Sequence, residues 1–527
     1  MNDAASSSPE PRSTDTDAPL AYWTRPIVVA GFVCVLMAIK LVMAGTTELI
    51  RDEAYYSLWA LHPLQASYFD HPPAVAWFIK AGYALLGPSE LAARLPAVLS
   101  VGLVSLAVFR TAMLVFGDRR IAAYSVYAFN LTPGAMVGLL VITPDAPSML
   151  FWMLSIWSAA ELLRSNDGRW WLVFGLFAGL GLAAKYTGLF LGAGVVLWLL
   201  FDRRNRHWFT SPWLYAGGAV ALAIFAPVIA WNLNNSLSSF EFQFGRSARG
   251  LQWFDWTDTK HLPEFLAGQI ALLLPGLFIM GAAAHWRFAR HRSERGNRGF
   301  ALLIWTGIPA LVYFITFSLH SVTQGNWTWP LYAQWSIIGA WAIYAWKPEW
   351  AWLRTIQRWT RRAQVPVGAL VAAVIFAQAQ FQPVRLPFAD QTLTMHGWTE
   401  VASNIETERR RAGIGTILAR GYGLYGYLET YGRFAGHGYR VLPLDEFHRY
   451  GFVDLPASDD AVDWPVLVAV HVSGTEPPTG PPAAIANANP PAQWFTRIVR
   501  PAADGAPASA IDLYRLERPE TPLFGSD

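Results

Sequence analysis

The chain has 527 residues, 53% of them hydrophobic and 15% charged, with a formal net charge of +3. Several apolar runs reach the roughly 20 residues that a membrane-spanning helix needs, which excludes an ordinary soluble enzyme and makes the chain polytopic. The small net charge gives no electrostatic footprint for nucleic acid, and a single cysteine, Cys34, excludes an intrachain disulfide.

In chain order, residues 1–24 are rich in Ala, Ser, Asp and Pro and have the composition of a disordered cytoplasmic tail. Apolar runs follow near 26–45, 92–115, 121–142, 146–163, 170–201, 212–230, 265–284, 299–318, 330–346 and 365–381. The first lacks the cleavage context of a secretory signal and reads as a signal anchor. Ala74 to Leu86 reads as an amphipathic helix lying on the outer surface, because a crossing there would invert every later loop.

The run from Trp170 to Phe201 is longer than one span requires, and Lys185-Tyr186-Thr187-Gly188 sits at its middle. The basic clusters decide how to read it: Arg119-Arg120, Arg164 with Arg169, Arg203 to Arg206, Arg287 to Arg298 and Lys347 to Arg362. If two spans meet at Lys185, all five clusters share one side, as the positive-inside rule requires; a single crossing would split them. The expectation is therefore about 11 crossings over residues 25–382, with an inner N-terminus and an outer C-terminus.

With that parity the outer face receives "RDEAYYSLWALHPLQASYFDHPP", Thr143 to Pro147, Lys185-Tyr186, the loop Trp231 to Pro263 and "SLHSVTQGNWTWP". These stretches hold the uncommon ionisable groups, which are expensive near hydrocarbon unless paired or hydrated. Each has a structural explanation too. Asp145, between two prolines, suits the cap of a helix starting near Ala146, and Lys185 suits snorkelling to headgroups. Arg246 and Arg249 suit contact with anionic lipid, and Asp52-Glu53 suits interfacial charge. Their convergence on one face favours function. His62, His71, His261 and His320 lack tight metal-ligand spacing. Acidic and basic groups facing one cavity suit transfer from a phosphate leaving group to a hydroxyl: a carboxylate accepts the hydroxyl proton while cations neutralise the phosphate.

After Gln382 the composition becomes mixed and polar. "GIGTILARGYGLYGYLETYG", "WPVLVAVHV" and "SAIDLYRLER" alternate strand-like and helix-like segments, which predicts a small periplasmic α/β accessory domain over 383–527. "GYGLYGYLETYG" lacks the P-loop Lys-Ser/Thr and the dinucleotide fingerprint, and reads as a packed strand-to-helix turn whose aromatics suit a carbohydrate acceptor. "SGTEPPTGPPAAIANANPPAQ" reads as a loop.

Four stretches, in this order, carry a family likeness: "RDEAYY", "YFDHPP" with "ELAARLP", "TPDAP" and "GLAAKYTG", extended by "WNLNNSLSSFEFQFGRSARG" and "GNWTWPLYA". The chain resembles the GT-C class of membrane glycosyltransferases that use polyprenyl-phosphate sugars, in particular bacterial family 39, which is protein O-mannosyltransferase-like, and the lipid A aminoarabinose transferases. The resemblance implies a GT-C type helical fold and an inverting transfer from a polyprenyl-phosphate sugar donor, such as an undecaprenyl phosphate sugar, to an acceptor hydroxyl at the outer face of a bacterial inner membrane. By the same resemblance Asp52 matches the general base with Glu53 its neighbour, and Asp70 an acidic site residue. His71, Lys185, Arg246 and Arg249 match positions near the lipid phosphate, and Asp145 a positioning carboxylate. The related lipid A enzymes can bind a metal with help from a histidine after the seventh span, but no histidine occurs between Trp231 and Lys260, so no metal or other cofactor is expected. The acceptor implied is an envelope glycolipid such as lipopolysaccharide or lipid A, with protein hydroxyls also open. The sugar is unspecified. The rival readings are a transporter or flippase of a lipid-linked glycan and a noncatalytic lipid-binding scaffold; no internal repeat supports the first.

Overall fold

The computed structural model describes residues 21–252, 261–291, 297–386, 390–473, 480, 481 and 483–524, with only the backbone described for 246–252, 473, 483 and 484. The expected tail therefore lies outside the described residues up to residue 20, as does part of the loop after Ser473. Tyr22–Thr24 departs from that tail: it forms a 3-10 turn, with Thr24 buried.

Among the described residues six helices are long and apolar enough to cross a membrane: Pro26–Thr46, Glu90–Phe116, Asp145–Ser165, Pro212–Asn234, Arg298–Phe317 and Ala351–Phe381. The expected count was higher, and three of the predicted runs differ in form. The run near 265–284 is two helices, His261–Leu273 and Pro275–Arg290, bent by 111°. Leu274 sits between them at φ +67°, and Pro275 has no backbone N–H to continue the ladder. The run near 121–142 breaks into Arg119–Asn130 and Pro133–Gly138, with Thr132 capping the second by accepting from the Ala135 N–H. Pro330–Tyr344 is only 15 residues long. The run from Trp170 to Phe201 breaks where its lysine predicted, into Trp170–Ala184 and Gly188–Phe201. The Ala74–Leu86 helix is present and packs against Glu90–Phe116, with Gly82 beside the Ala92 carbonyl.

Residues beyond 390 fold around a five-stranded sheet of order β2-β1-β3-β5-β4, where β1 is Thr416–Ala419, β2 Arg440–Pro443, β3 Val466–Ser473, β4 Gln493–Pro501 and β5 Pro507–Leu516. β1 pairs parallel with β2 and β3, and the other pairs are antiparallel. The helix Tyr422–Phe434 connects β1 to β2, as a parallel pair requires.

This unit is not a satellite. Its helix Tyr422–Phe434 lies on the helix Arg51–Leu61, and one apolar core joins Tyr55, Leu58 and Trp59 to Leu424, Tyr425, Leu428 and Ile417. Polar contacts fix the seam: Glu48 accepts from the Trp398 and Thr399 N–H groups at the start of the helix Trp398–Ala412, and the Tyr431 hydroxyl accepts from Leu49 N–H. The first connection after the anchor helix is thus held between the helical bundle and the sheet.

Candidate functional site

The site begins with two adjacent carboxylates in the first turn of Arg51–Leu61. Consecutive helical residues point about 100° apart, so Asp52 and Glu53 meet different surroundings. Glu53 is fully buried. Its Oε1 accepts from Arg94 Nε at 2.8 Å and Ile142 N–H at 2.8 Å; its Oε2 accepts from Arg94 Nη2 at 2.6 Å and Ile50 N–H at 2.9 Å. Both oxygens are saturated by donors, which corrects the expectation that Glu53 acts beside Asp52. It is a clamp joining the Arg51–Leu61 helix to Glu90–Phe116 and to the loop before Asp145. Asp52 instead lines a cavity of about 280 Å³, with its side chain 44% exposed. It accepts from the Tyr422 hydroxyl at 3.1 Å and lies 3.6 Å from Arg51 Nε.

The same cavity gathers Asp70, His71, Asp145 and Lys185. Asp145 opens the helix Asp145–Ser165 yet makes no side-chain cap bond. Its oxygens face inward, accepting from Lys185 Nζ at 2.6 Å and Asn326 Nδ2 at 2.7 Å. Lys185 therefore does not snorkel: it occupies the break after Ala184 and is buried in this pair. Asp70 is buried, accepts from the Tyr55 hydroxyl at 2.6 Å and is ion-paired to Arg449. His71 stands on the wall near Tyr56, their rings 6.3 Å apart. Arg246 and Arg249 fall on the backbone helix Ser238–Gln252, but their side chains lie outside the described residues.

Two cavity residues come from the sheet unit, Tyr422 and Arg449. The Arg449 guanidinium lies over the rings of Tyr422 at 5.1 Å, Phe242 at 5.6 Å and Phe69 at 5.8 Å, so it bridges three segments of the chain. Burial, the largest single influence, opposes its charge, but Asp70, Tyr55 and Glu446 together outweigh it and hold the Arg449 pKa above the usual arginine value. Burial, followed by the Asp52 charge, pushes the Tyr422 phenol up, so Tyr422 is a protonated donor to Asp52 at all physiological pH. Asp445 and Glu446 accept from the Gly421 and Tyr422 N–H groups, occupying two of the donors at the start of that helix.

Of the residues named from sequence, Asp52, Asp70, His71, Asp145 and Lys185 meet at one cavity, and Glu53 stands behind it. Sequence reasoning passed over Tyr422, Arg449, Gln243 and Asn326. Tyr422 had a signal, since the glycines of "GYGLYGYLETYG" mark a close helix approach; Arg449, in the turn Phe447–Arg449, had none. Among the described residues no group of three or more His, Cys, Asp or Glu could hold a metal ion.

Comparison with known proteins follows the same lines. Residues 70–231 match the family described as dolichyl-phosphate-mannose-protein mannosyltransferase. The chain is 24% identical over 321 residues to the lipid A galacturonosyltransferase RgtD of Rhizobium johnstonii, covering 60% of this chain and 65% of that protein. It is 29% identical over 285 residues to the undecaprenyl phosphate-alpha-4-amino-4-deoxy-L-arabinose arabinosyl transferase of Erwinia tasmaniensis, covering 50% of this chain and 49% of that one. The alignments thus span about half to just under two thirds of these relatives. In fold it matches ArnT from Cupriavidus metallidurans bound to undecaprenyl phosphate, with a TM-score of 0.63, 17% identity, and coverage of 95% of this chain and 99% of that one. The resemblance to GT-C glycosyltransferases read from the motifs holds in sequence and in fold.

Proposed function

We propose that this chain, which carries the GT-C glycosyltransferase fold, transfers a sugar from a polyprenyl-phosphate donor to a hydroxyl of an envelope glycolipid of the lipid A or lipopolysaccharide type. The proposed setting is a bacterial inner membrane crossed about 11 times, the short apolar helices included, with the cavity and the sheet unit on the periplasmic side. The names of the sequence relatives support the donor and acceptor classes.

One observation carries the reading. Asp70 is neutralised by Arg449 and Asp145 by Lys185 in buried pairs, whereas Asp52 is half-exposed to the cavity, its nearest donor the Tyr422 hydroxyl and its cation the exposed Arg51 guanidinium at 3.6 Å. A carboxylate so left is the group able to accept a proton. In the proposed step Asp52 takes the proton of the acceptor hydroxyl and the oxygen attacks the anomeric carbon. The bond from that carbon to the phosphate oxygen breaks, and polyprenyl phosphate departs with inversion. Lys185, with donors beyond its pair to Asp145, Arg449, with donors beyond its pairs to Asp70 and Glu446, and His71 support the departing phosphate. Arg246 and Arg249 are proposed for the same task, and Asp145 and Asp70 hold the cations in place. The step as proposed uses no metal.

Mass spectrometry of envelope glycolipids tests this in cells lacking the protein and complemented with wild type or Asp52→Asn. Wild type restores a sugar-bearing species, while Asp52→Asn lowers it by about 10²-fold or more at equal protein level. Equal restoration by both would sink the catalytic assignment and favour a flippase or a binding scaffold.

A further inference from the structure

A second cavity, of about 680 Å³, lies at the other end of the bundle. It is lined by the aromatic rings of Trp23, Phe32, Tyr124, Tyr127 and Tyr344 and by three arginines, Arg358, Arg361 and Arg362. Its distance from the first cavity follows from two helices. Trp23 precedes the helix Pro26–Thr46, whereas Asp52 follows it, and 21 residues span about 30 Å. Tyr344 ends the helix Pro330–Tyr344, whose beginning adjoins Asn326 and Trp327 of the first cavity.

Arg358 lies three and four residues before the adjacent Arg361 and Arg362, which lie four and three before Val365, so the four share one broad face of the helix Ala351–Phe381. Arg361 stacks on Tyr344 at 4.5 Å. Arg358 donates to the Thr355 hydroxyl, and among the described residues none of the three arginines has a carboxylate within ion-pair distance. No lining residue is acidic. Other arginines nearby are neutralised: Arg120 pairs with Asp118 at 3.0 Å. Three uncompensated guanidinium groups against an aromatic wall form a cradle for an anion.

The membrane level of this cradle is marked independently. Trp352 and Trp359 on the same helix, with Trp350 and Trp286 beside them, are exposed. Outward tryptophans are the signature of the headgroup region, and the helix runs on from the arginines into an apolar half.

We propose that this pocket binds the phosphate headgroup of an anionic phospholipid, held by Arg358, Arg361 and Arg362 against the aromatic wall, on the membrane surface opposite the first cavity. The positive-inside effect explains basic residues on that side but not their convergence on one aromatic pocket. The site does not depend on the transferase reading.

Native mass spectrometry of the full chain in detergent, titrated with phosphatidylglycerol or with phosphatidylcholine of the same acyl chains, tests it. Wild type retains phosphatidylglycerol over phosphatidylcholine. The variant R358Q/R361Q/R362Q loses that preference, weakening phosphatidylglycerol retention by about 10- to 100-fold, while R164Q/R169Q/R203Q, which removes three exposed arginines elsewhere, keeps it. Unfolding midpoints without lipid verify that both fold; the single variant Arg361→Gln carries the same test with a smaller loss. Equal retention of both lipids by wild type, or equal loss in both triple variants, overturns the site. Displacement of the lipid by millimolar inorganic phosphate overturns the lipid in favour of a soluble phosphate.

Discussion

At the scale of single residues, Asp52 and Glu53 have the same functional group and opposite fates. The four donors around Glu53 are arranged for an ionised carboxylate, so the Glu53–Arg94 pair is held by geometry as well as charge. Glu53→Gln puts an amide NH2 among those donors and leaves Arg94 buried and undercompensated. The expected cost is on the order of 3–5 kcal/mol of stability, read as a lower thermal unfolding midpoint in detergent. Asp52→Asn leaves that midpoint within error while activity falls. A Glu53→Gln protein as stable as wild type would refute the clamp. Nothing in "RDEAYY" separated the two carboxylates, because the separation depends on Arg94 and Ile142, 41 and 89 residues away.

At the scale of elements, the seam between Tyr422–Phe434 and Arg51–Leu61 aims Tyr422 at Asp52. Gly426 makes the approach possible: a Cβ there would lie 2.9 Å from the Tyr55 nitrogen and 3.1 Å from its Cα, both backbone atoms that cannot yield. One turn on, the Thr430 hydroxyl donates to the Ala54 carbonyl at 3.0 Å. Gly426→Ala is expected to part the helices and cost about 1–3 kcal/mol by overpacking, with glycosyl transfer falling further than stability. Gly438→Ala, where a Cβ meets open space, leaves both unchanged. Paired activity and unfolding measurements on the two variants decide the point, and equal behaviour would dismiss the seam as a determinant. The break at Lys185 shows how much an element can reveal in advance. A lysine amid an apolar run too long for one span had to mark a helix end, and it does.

At the scale of the whole molecule, the docking of the sheet unit carries a pH dependence. His62, at the end of Arg51–Leu61, is pushed down to about 4 by burial and then by the Arg433 charge. His471, on β3, is pushed down to about 4 by burial and then by Arg500 and Arg51. In the unfolded chain both titrate near 6.5. Their contribution is therefore complete above about pH 6.5 and lost as pH falls toward 4, because the unfolded form binds protons that the folded form refuses. Thermal unfolding of the full chain between pH 7.5 and 4.5 should show a falling midpoint, flattened in His62→Gln/His471→Gln. A midpoint rising over that interval would contradict it.

The membrane character of the chain, the helix break at Lys185, the strand and helix alternation after Gln382 and the GT-C likeness are all legible in the order of residues. Each rests on local periodicity, run length or motif order, which a chain displays without folding. The tertiary structure alone decided which carboxylates are neutralised, that Glu53 stands behind the cavity, and that Tyr422 and Arg449 belong to it. It also decided that the run near 265–284 bends by 111°. These depend on partners hundreds of residues apart: Tyr422 reaches Asp52 across 370 residues and Arg449 reaches Asp70 across 379. Charge neutralisation is a property of pairs in space, so the chemistry of a carboxylate is settled only when its neighbours arrive.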